Sequence, residues 1–219
     1  MKERPIIFND EMVRAILDGR KTQTRRVVPG WQTPKQKGDR EWIAVAQRHP
    51  RYGFVVAGES EKGCAANLSL HGVCPYGKPG DRLWVRETFQ GPIWDEDNLY
   101  PDNGYSPEFC VYRADGGAYP EYIDVDDNLR FGWKPSIHMP RWASRITLEI
   151  TNVRVERVQD ISEEDGSAEG IFFDPHAPVD KMGLSSLYRI AYRDLWQSIY
   201  GPDSWADNPW VWVIEFRRV

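Results

Sequence analysis

The sequence predicts an α+β fold: a small barrel of mixed strands with short flanking helices. Three observations predict it. Alternating apolar segments recur at the start, middle and end of the chain; the helical segments between them are short; and strands do not alternate regularly with helices, which argues against a doubly wound parallel sheet. At 219 residues the chain is long enough to bury a core without disulfides or metal, and a single domain is expected over 1–219.

The elements follow in order. Pro5 to Phe8 reads as a strand, and Asn9 or Asp10 caps a helix with Met12, Val13, Ile16 and Leu17 on one stripe. Gly19 ends that helix. Lys21 to Val28, with β-branched Thr22, Thr24, Val27 and Val28 before Pro29-Gly30, suits a strand closed by a turn. From about 29 to 79 the chain is rich in Gly, Pro, Lys and Gln, with short apolar pieces at Trp42 to Ala46 and Phe54 to Ala57, and is expected to be an insertion.

Gly80-Asp81 signals a turn into a half-buried strand, Arg82 to Phe89. A second insertion is expected over about 90–140, with a strand candidate at Phe109 to Arg113. Ile146, Leu148 and Ile150, then Val153, Val155 and Val158, describe a long strand with a bend at Asn152. Caps at Asp160 and Ser162 start a helix that reaches Glu169 and stops at Gly170. Ser185 to Tyr200 carries Leu187, Ile190, Ala191, Leu195 and Ile199 on one helical face, and Trp210 to Val219 is a final strand.

Formal charge is −5, which disfavours indiscriminate binding to nucleic acid by counterion release. The charge is unevenly spread. Residues 1–60 hold twelve Lys or Arg against seven Asp or Glu, whereas residues 91–130 hold two against ten. One end is able to face phosphate, and uneven solvated surface explains the same pattern. Ten tryptophans supply core and, in principle, stacking surfaces for a base. Cys64, Cys74 and Cys110 form no disulfide pattern, and no apolar window approaches a membrane span, so a cytoplasmic protein without membrane association is expected. Cys64, His71 and Cys74 lack a metal-ligand spacing; neither metal nor cofactor is expected.

Four ordered motifs carry a family resemblance. They are Gly19 to Arg26 (GRKTQTRR), Pro79-Gly80-Asp81 followed by Leu83-Trp84-Val85-Arg86-Glu87, Asp160-Ile161-Ser162-Glu163-Glu164 leading to Ala168-Glu169-Gly170-Ile171, and the terminal Trp210 to Phe216. Together they resemble the ASCH domain family, whose fold is a PUA-like barrel, and more narrowly a bacteriophage or prophage-type member with long insertions. The resemblance covers roughly the first 28 residues, 79–89 and 136–219.

Some small ASCH proteins are amidohydrolases that deacetylate 4-acetylcytidine with a lysine, a threonine and a glutamate. The resemblance places these at Lys21, Thr24 and Glu169. Thr24 would attack the acyl carbon, Lys21 would receive its proton, and Glu169 would assist protonation of the leaving amine. The chemistry is reasonable, because a desolvated lysine beside other cations, here Arg20, Arg25 and Arg26, becomes a usable base. Glu169, at a helix C-terminus and four residues after Asp165, sits where its charged form is disfavoured. In a regular strand Lys21 and Thr24 would face opposite ways, so the pair needs a bulge or a strand that starts after Lys21.

Further binding candidates are Trp84, Arg86 and Glu87, an aromatic plane beside a guanidinium, and His138, Arg141, Trp142 and Ser144 at the entry to the long strand. The expected partner is a modified nucleoside or RNA. A non-catalytic RNA-binding module and a ribonuclease are the alternatives to the amidohydrolase.

Overall fold

A computed structural model describes residues 1–48, 53–93, 105–123, 128–171 and 187–219. In chain order its strands and helices are β1 (Glu3–Ile7), α1 (Asp10–Leu17), β2 (Gln23–Val27), β3 (Lys35–Gln36), β4 (Trp42–Gln47), β5 (Phe54–Gly58), α2 (Glu61–His71), β6 (Arg82–Arg86) and β7 (Phe89–Gln90). They continue with β8 (Val111–Tyr112), β9 (Glu121–Ile123), β10 (Leu129–Phe131), β11 (Thr147–Arg157), α3 (Glu163–Ala168), α4 (Leu187–Tyr200) and β12 (Trp210–Arg218). The fold is α+β. The chain divides into two compact units, one of residues 1–19, 81–149 and 218–219, the other of 20–80 and 150–217.

In the first unit β6 lies between β1, which runs parallel to it, and the first residues of β11, which run antiparallel; Trp84 faces Pro5 on one side and Thr147 on the other. Asn9 caps α1 by accepting from the Met12 amide at 2.9 Å, and Val13 and Ile16 are buried, as the apolar stripe requires. Phe89, Tyr112, Met139 and Ala143 form one apolar cluster, with Trp142 and Cys110 packed against it. The strand candidate at Phe109 to Arg113 shortens to β8, preceded by a 3₁₀ turn at Pro107–Phe109, because Pro107 starts a turn that the ladder cannot absorb. β9 and β10 form a separate antiparallel ribbon.

In the second unit β12 pairs antiparallel with β2, Ile214 facing Thr24, and has β11 as its other neighbour. β11 is continuous through Asn152, but its buried positions change parity, from Leu148 and Ile150 to Val155, across two exposed residues, Thr151 and Asn152. The predicted bend is thus a change of face within one strand. Val158, Ile161, Tyr192, Trp196, Val211 and Val213 make the core. The last helix, described from Leu187, turns Tyr192 and Trp196 inward and leaves Ile199 exposed; residues 185–186 of the predicted span lie outside the described residues. Two aromatic rings bury more apolar area than the aliphatic set would, so they decide the rotation.

Residues 29–79, which the composition reads as an insertion, carry regular secondary structure among the described residues. They contain the antiparallel sheet β3-β4-β5 and the helix α2, capped by Ser60, whose Oγ accepts from the Gly63 amide at 3.0 Å. Gln32 is completely buried: its amide nitrogen donates to the Ala46 and Val73 carbonyls, and its oxygen accepts from Trp212 Nε1 at 3.0 Å. The expected barrel is corrected by the strand order. Among the described residues the strands form open sheets, because β3-β4-β5, β7-β8 and β9-β10 pair among themselves. Among the described residues no helix is long and apolar enough to cross a membrane.

Candidate functional site

The site assembles in the second unit where β2 begins. Asp18 closes α1, and Gly19 follows at φ 75°, a left-handed conformation that glycine adopts without steric cost and that turns the chain out of the helix. Lys21 then forms an isolated antiparallel bridge with Glu169, and the Thr22 amide donates to the Ala168 carbonyl at 2.8 Å. Regular pairing with β12 starts after that, at Gln23.

Glu169 arrives from α3. Ser162 Oγ caps the helix by accepting from the Asp165 amide, and the chain leaves through Glu169 and Gly170, the latter at φ 82°. The helix therefore starts and stops where its caps predict. A helix of six residues exists here to turn the chain so that Glu169 meets the beginning of β2.

Lys21 Nζ donates to Glu169 Oε2 and to the Glu169 carbonyl, both at 2.8 Å, and both side chains are buried. Burial pulls the Lys21 pKa below its ordinary value; Glu169 opposes this, and the nearby Arg26 and Arg25 guanidiniums reinforce it. Arg25 Nη1 donates to Glu169 Oε1 at 3.0 Å, so each carboxylate oxygen has its own cation.

Arg25 does more than that. Its Nε and Nη2 donate to Glu156 Oε1, at 3.1 and 2.6 Å, and Nη2 also reaches Asp165 Oδ2 at 2.9 Å. Burial works against the Arg25 charge, but Glu169 and Glu156 outweigh it. Arg154 holds both Glu156 and Asp165 in turn, at 3.0–3.1 Å, and pairs with Glu215. Gln23 Nε2 donates to the Asp165 carbonyl and to Oδ1. The Asp165 carboxyl is only partly buried; desolvation would raise its pKa, but Gln23, Arg25 and Arg154 together hold it below the ordinary value.

This geometry brings together Lys21, Glu169 and Arg25. It does not bring in Thr24. Gln23 and Arg25 both reach Asp165 from one face of β2, and the strand pairs regularly with β12 through this stretch, so alternation directs Thr24, buried between them, to the opposite face. The strand does begin after Lys21, at Gln23, but from there its pairing with β12 is regular, so Thr24 stays on the face opposite Gln23 and Arg25. Arg20 Nη1 donates to the Gly170 carbonyl at 3.1 Å, and Arg26 shares the Thr24 face of the strand.

The other predicted residues belong to the first unit. Arg86 lies over the Trp84 ring, 5.6 Å from its centroid, and donates to the Ile137 carbonyl, so the guanidinium itself covers the aromatic face. Glu87 is buried and gripped through both oxygens by Arg145, at 3.0 and 2.9 Å; burial nonetheless pushes its pKa up. Arg145 also grips Asp115 and stacks on Tyr112, 3.9 Å from the ring centroid. Ser144 Oγ is buried and donates to the Val85 and Ile146 carbonyls. Trp142 packs edge-on to Tyr105, Arg141 binds Glu3 and Thr147, and His138 stands exposed at the end of a 3₁₀ turn.

Sequence reasoning missed Gln23, Arg154, Glu156 and Tyr192 as members of the site. The signal that finds three of them is parity: Lys21, Gln23 and Arg25 alternate along one segment and Arg154 and Glu156 along another, each a polar set at every second position. Asp165 was visible as a neighbour of Glu169, but as a repelling charge rather than as an Arg25 partner. No family model matches the chain, and no curated protein or solved structure matches it either.

Proposed function

We propose that the chain is an ASCH-type hydrolase that cleaves the exocyclic amide of an acylated nucleobase or nucleoside such as 4-acetylcytidine, with Lys21 and Glu169 as its proton-transfer pair. One observation supports the reading above others: a buried lysine amine, its protonated form disfavoured by desolvation, bonded directly to a buried carboxylate. The order of the four motifs supplies the substrate class by resemblance.

In this reading a neutral Lys21 takes a proton from the attacking oxygen, which bonds to the acyl carbon. The C–N bond then breaks, and the exocyclic nitrogen receives a proton returned through Lys21 and Glu169. Because Thr24 faces away from that pair, water is the nucleophile that the arrangement favours, with the acid and the free amine as products. Thr24 then serves as a buried strand residue.

The purified chain incubated with 4-acetylcytidine should release cytidine and acetate. Lys21→Ala and Glu169→Gln should abolish turnover, and Thr24→Val should retain most of it. Loss of turnover in Thr24→Val with the fold intact would restore the threonine as nucleophile. No product from the wild type with any acylated nucleoside would sink the reading.

A further inference from the structure

We infer that Arg25 is a positioning residue for the Lys21–Glu169 pair: its guanidinium occupies Glu169 Oε1 and thereby fixes Oε2 as the oxygen that meets the lysine amine. The inference rests on the proposed role of that pair.

A carboxylate at the end of a glutamate turns freely enough to exchange its two oxygens. Here the exchange is blocked, since Lys21 holds Oε2 at 2.8 Å and Arg25 holds Oε1 at 3.0 Å. Arg25 is itself held on every side. Its planar fork offers separate N–H groups to Glu169, Glu156 and Asp165, and the Tyr192 ring lies 5.7 Å below the guanidinium carbon. Glu156 and Asp165 are fixed by Arg154 from β11.

The charged and titratable groups facing Arg25 are therefore Lys21 just ahead of β2, Arg154 and Glu156 from β11, Asp165 and Glu169 from α3 and its cap, and Tyr192 from α4. A lysine at position 25 would carry the charge but present one nitrogen, which cannot serve three carboxylates in fixed directions. Arg25 also opposes a second positive charge on Lys21. Without it, Glu169 turns toward Lys21 alone and the ammonium form gains.

The test follows the Lys21 side chain in the full-length protein by heteronuclear NMR of labelled lysine across a pH titration. The wild type should show Lys21 titrating below the exposed lysines. Arg25→Gln should move that midpoint upward by about half a pH unit or more, and Arg25→Lys should move it upward by less. Should Arg25→Gln not fold, Arg25→Lys alone decides. A depressed Lys21 midpoint that stays put at either substitution would overturn the positioning role and leave the proton-transfer pair standing. A wild-type Lys21 that titrates with the exposed lysines would remove the pair itself, and the inference with it.

Discussion

Lys21 meets Glu169 twice, its Nζ bonded to the side-chain carboxylate and to the main-chain carbonyl of the same residue, each at 2.8 Å. The lysine therefore stays placed at Glu169 even when the carboxylate is replaced by an amide. Glu169→Gln should keep the fold, with an unchanged far-ultraviolet circular dichroism spectrum, and lose the proposed acid–base function. An unfolded Glu169→Gln would assign the carboxylate to stability.

Removing Arg25 tests how much of the second unit depends on the ion network. Arg25→Met leaves Glu156, Asp165 and Glu169 without their common partner, and breaking a buried pair from one side costs about 3–5 kcal/mol. Urea denaturation should show a loss of that size, far above the effect of Arg193→Met, whose exposed partner Asp194 contributes little. Equal midpoints for the two variants would show the network to be energetically idle.

Asp165 makes the stability depend on acid. Its folded pKa lies below the unfolded value near 3.9, so its contribution is complete above that value and disappears as pH falls through the folded pKa. Asp165→Asn should be less stable than the wild type at pH 7, and the gap should narrow at pH values well below 4. A gap that does not change with pH would assign the loss to geometry alone.

Glu87 has the opposite sign. Burial raises its folded pKa against the pull of Arg145, so the folded state binds the extra proton and stability falls as pH rises from the unfolded value, near 4.3, through the folded one. Relative to the wild type, Glu87→Gln should gain ground across that window, measured by thermal melts at a series of pH values. Arg145→Met should instead be strongly destabilised at neutral pH, because it strands the buried carboxylate.

Gln32 ties the region before α2 to the last strand, with all three of its hydrogen bonds made out of solvent. Gln32→Leu takes their Gln32 partner from the Trp212 indole N–H and the Val73 carbonyl, at about 1–3 kcal/mol each, while the Ala46 carbonyl keeps the Val73 amide. Chemical denaturation followed by tryptophan fluorescence should report the loss. An unaffected midpoint would mean that water replaces the amide.

How far the sequence could be read follows from what each signal depends on. Caps and left-handed glycines are local, so α1 with Asn9 and Gly19, and α3 with Ser162 and Gly170, stand where their residues place them. The helix α2 was hidden because its residues, EKGCAANLSLH, show almost no amphipathic pattern; Cys64, Ala65 and Leu68 are buried although small or isolated. The Lys21–Glu169 meeting was legible only through family resemblance. The alternation that separates Thr24 from it was visible in the sequence and is what the regular pairing with β12 enforces. Arg25's three carboxylates were not legible, since ion pairs between distant segments leave no periodic trace in either.

Lys21 and Glu169 are 148 positions apart, and all of residues 81–149 is threaded between them. The loop that their contact closes is long, and closing it comes at an entropic cost that grows only slowly with length. A nascent chain carries the lysine long before it carries the glutamate, so the contact between them has no early form. The burial that lowers the Lys21 pKa thus exists only where α3 and its Glu169 cap meet the start of β2, in the folded chain.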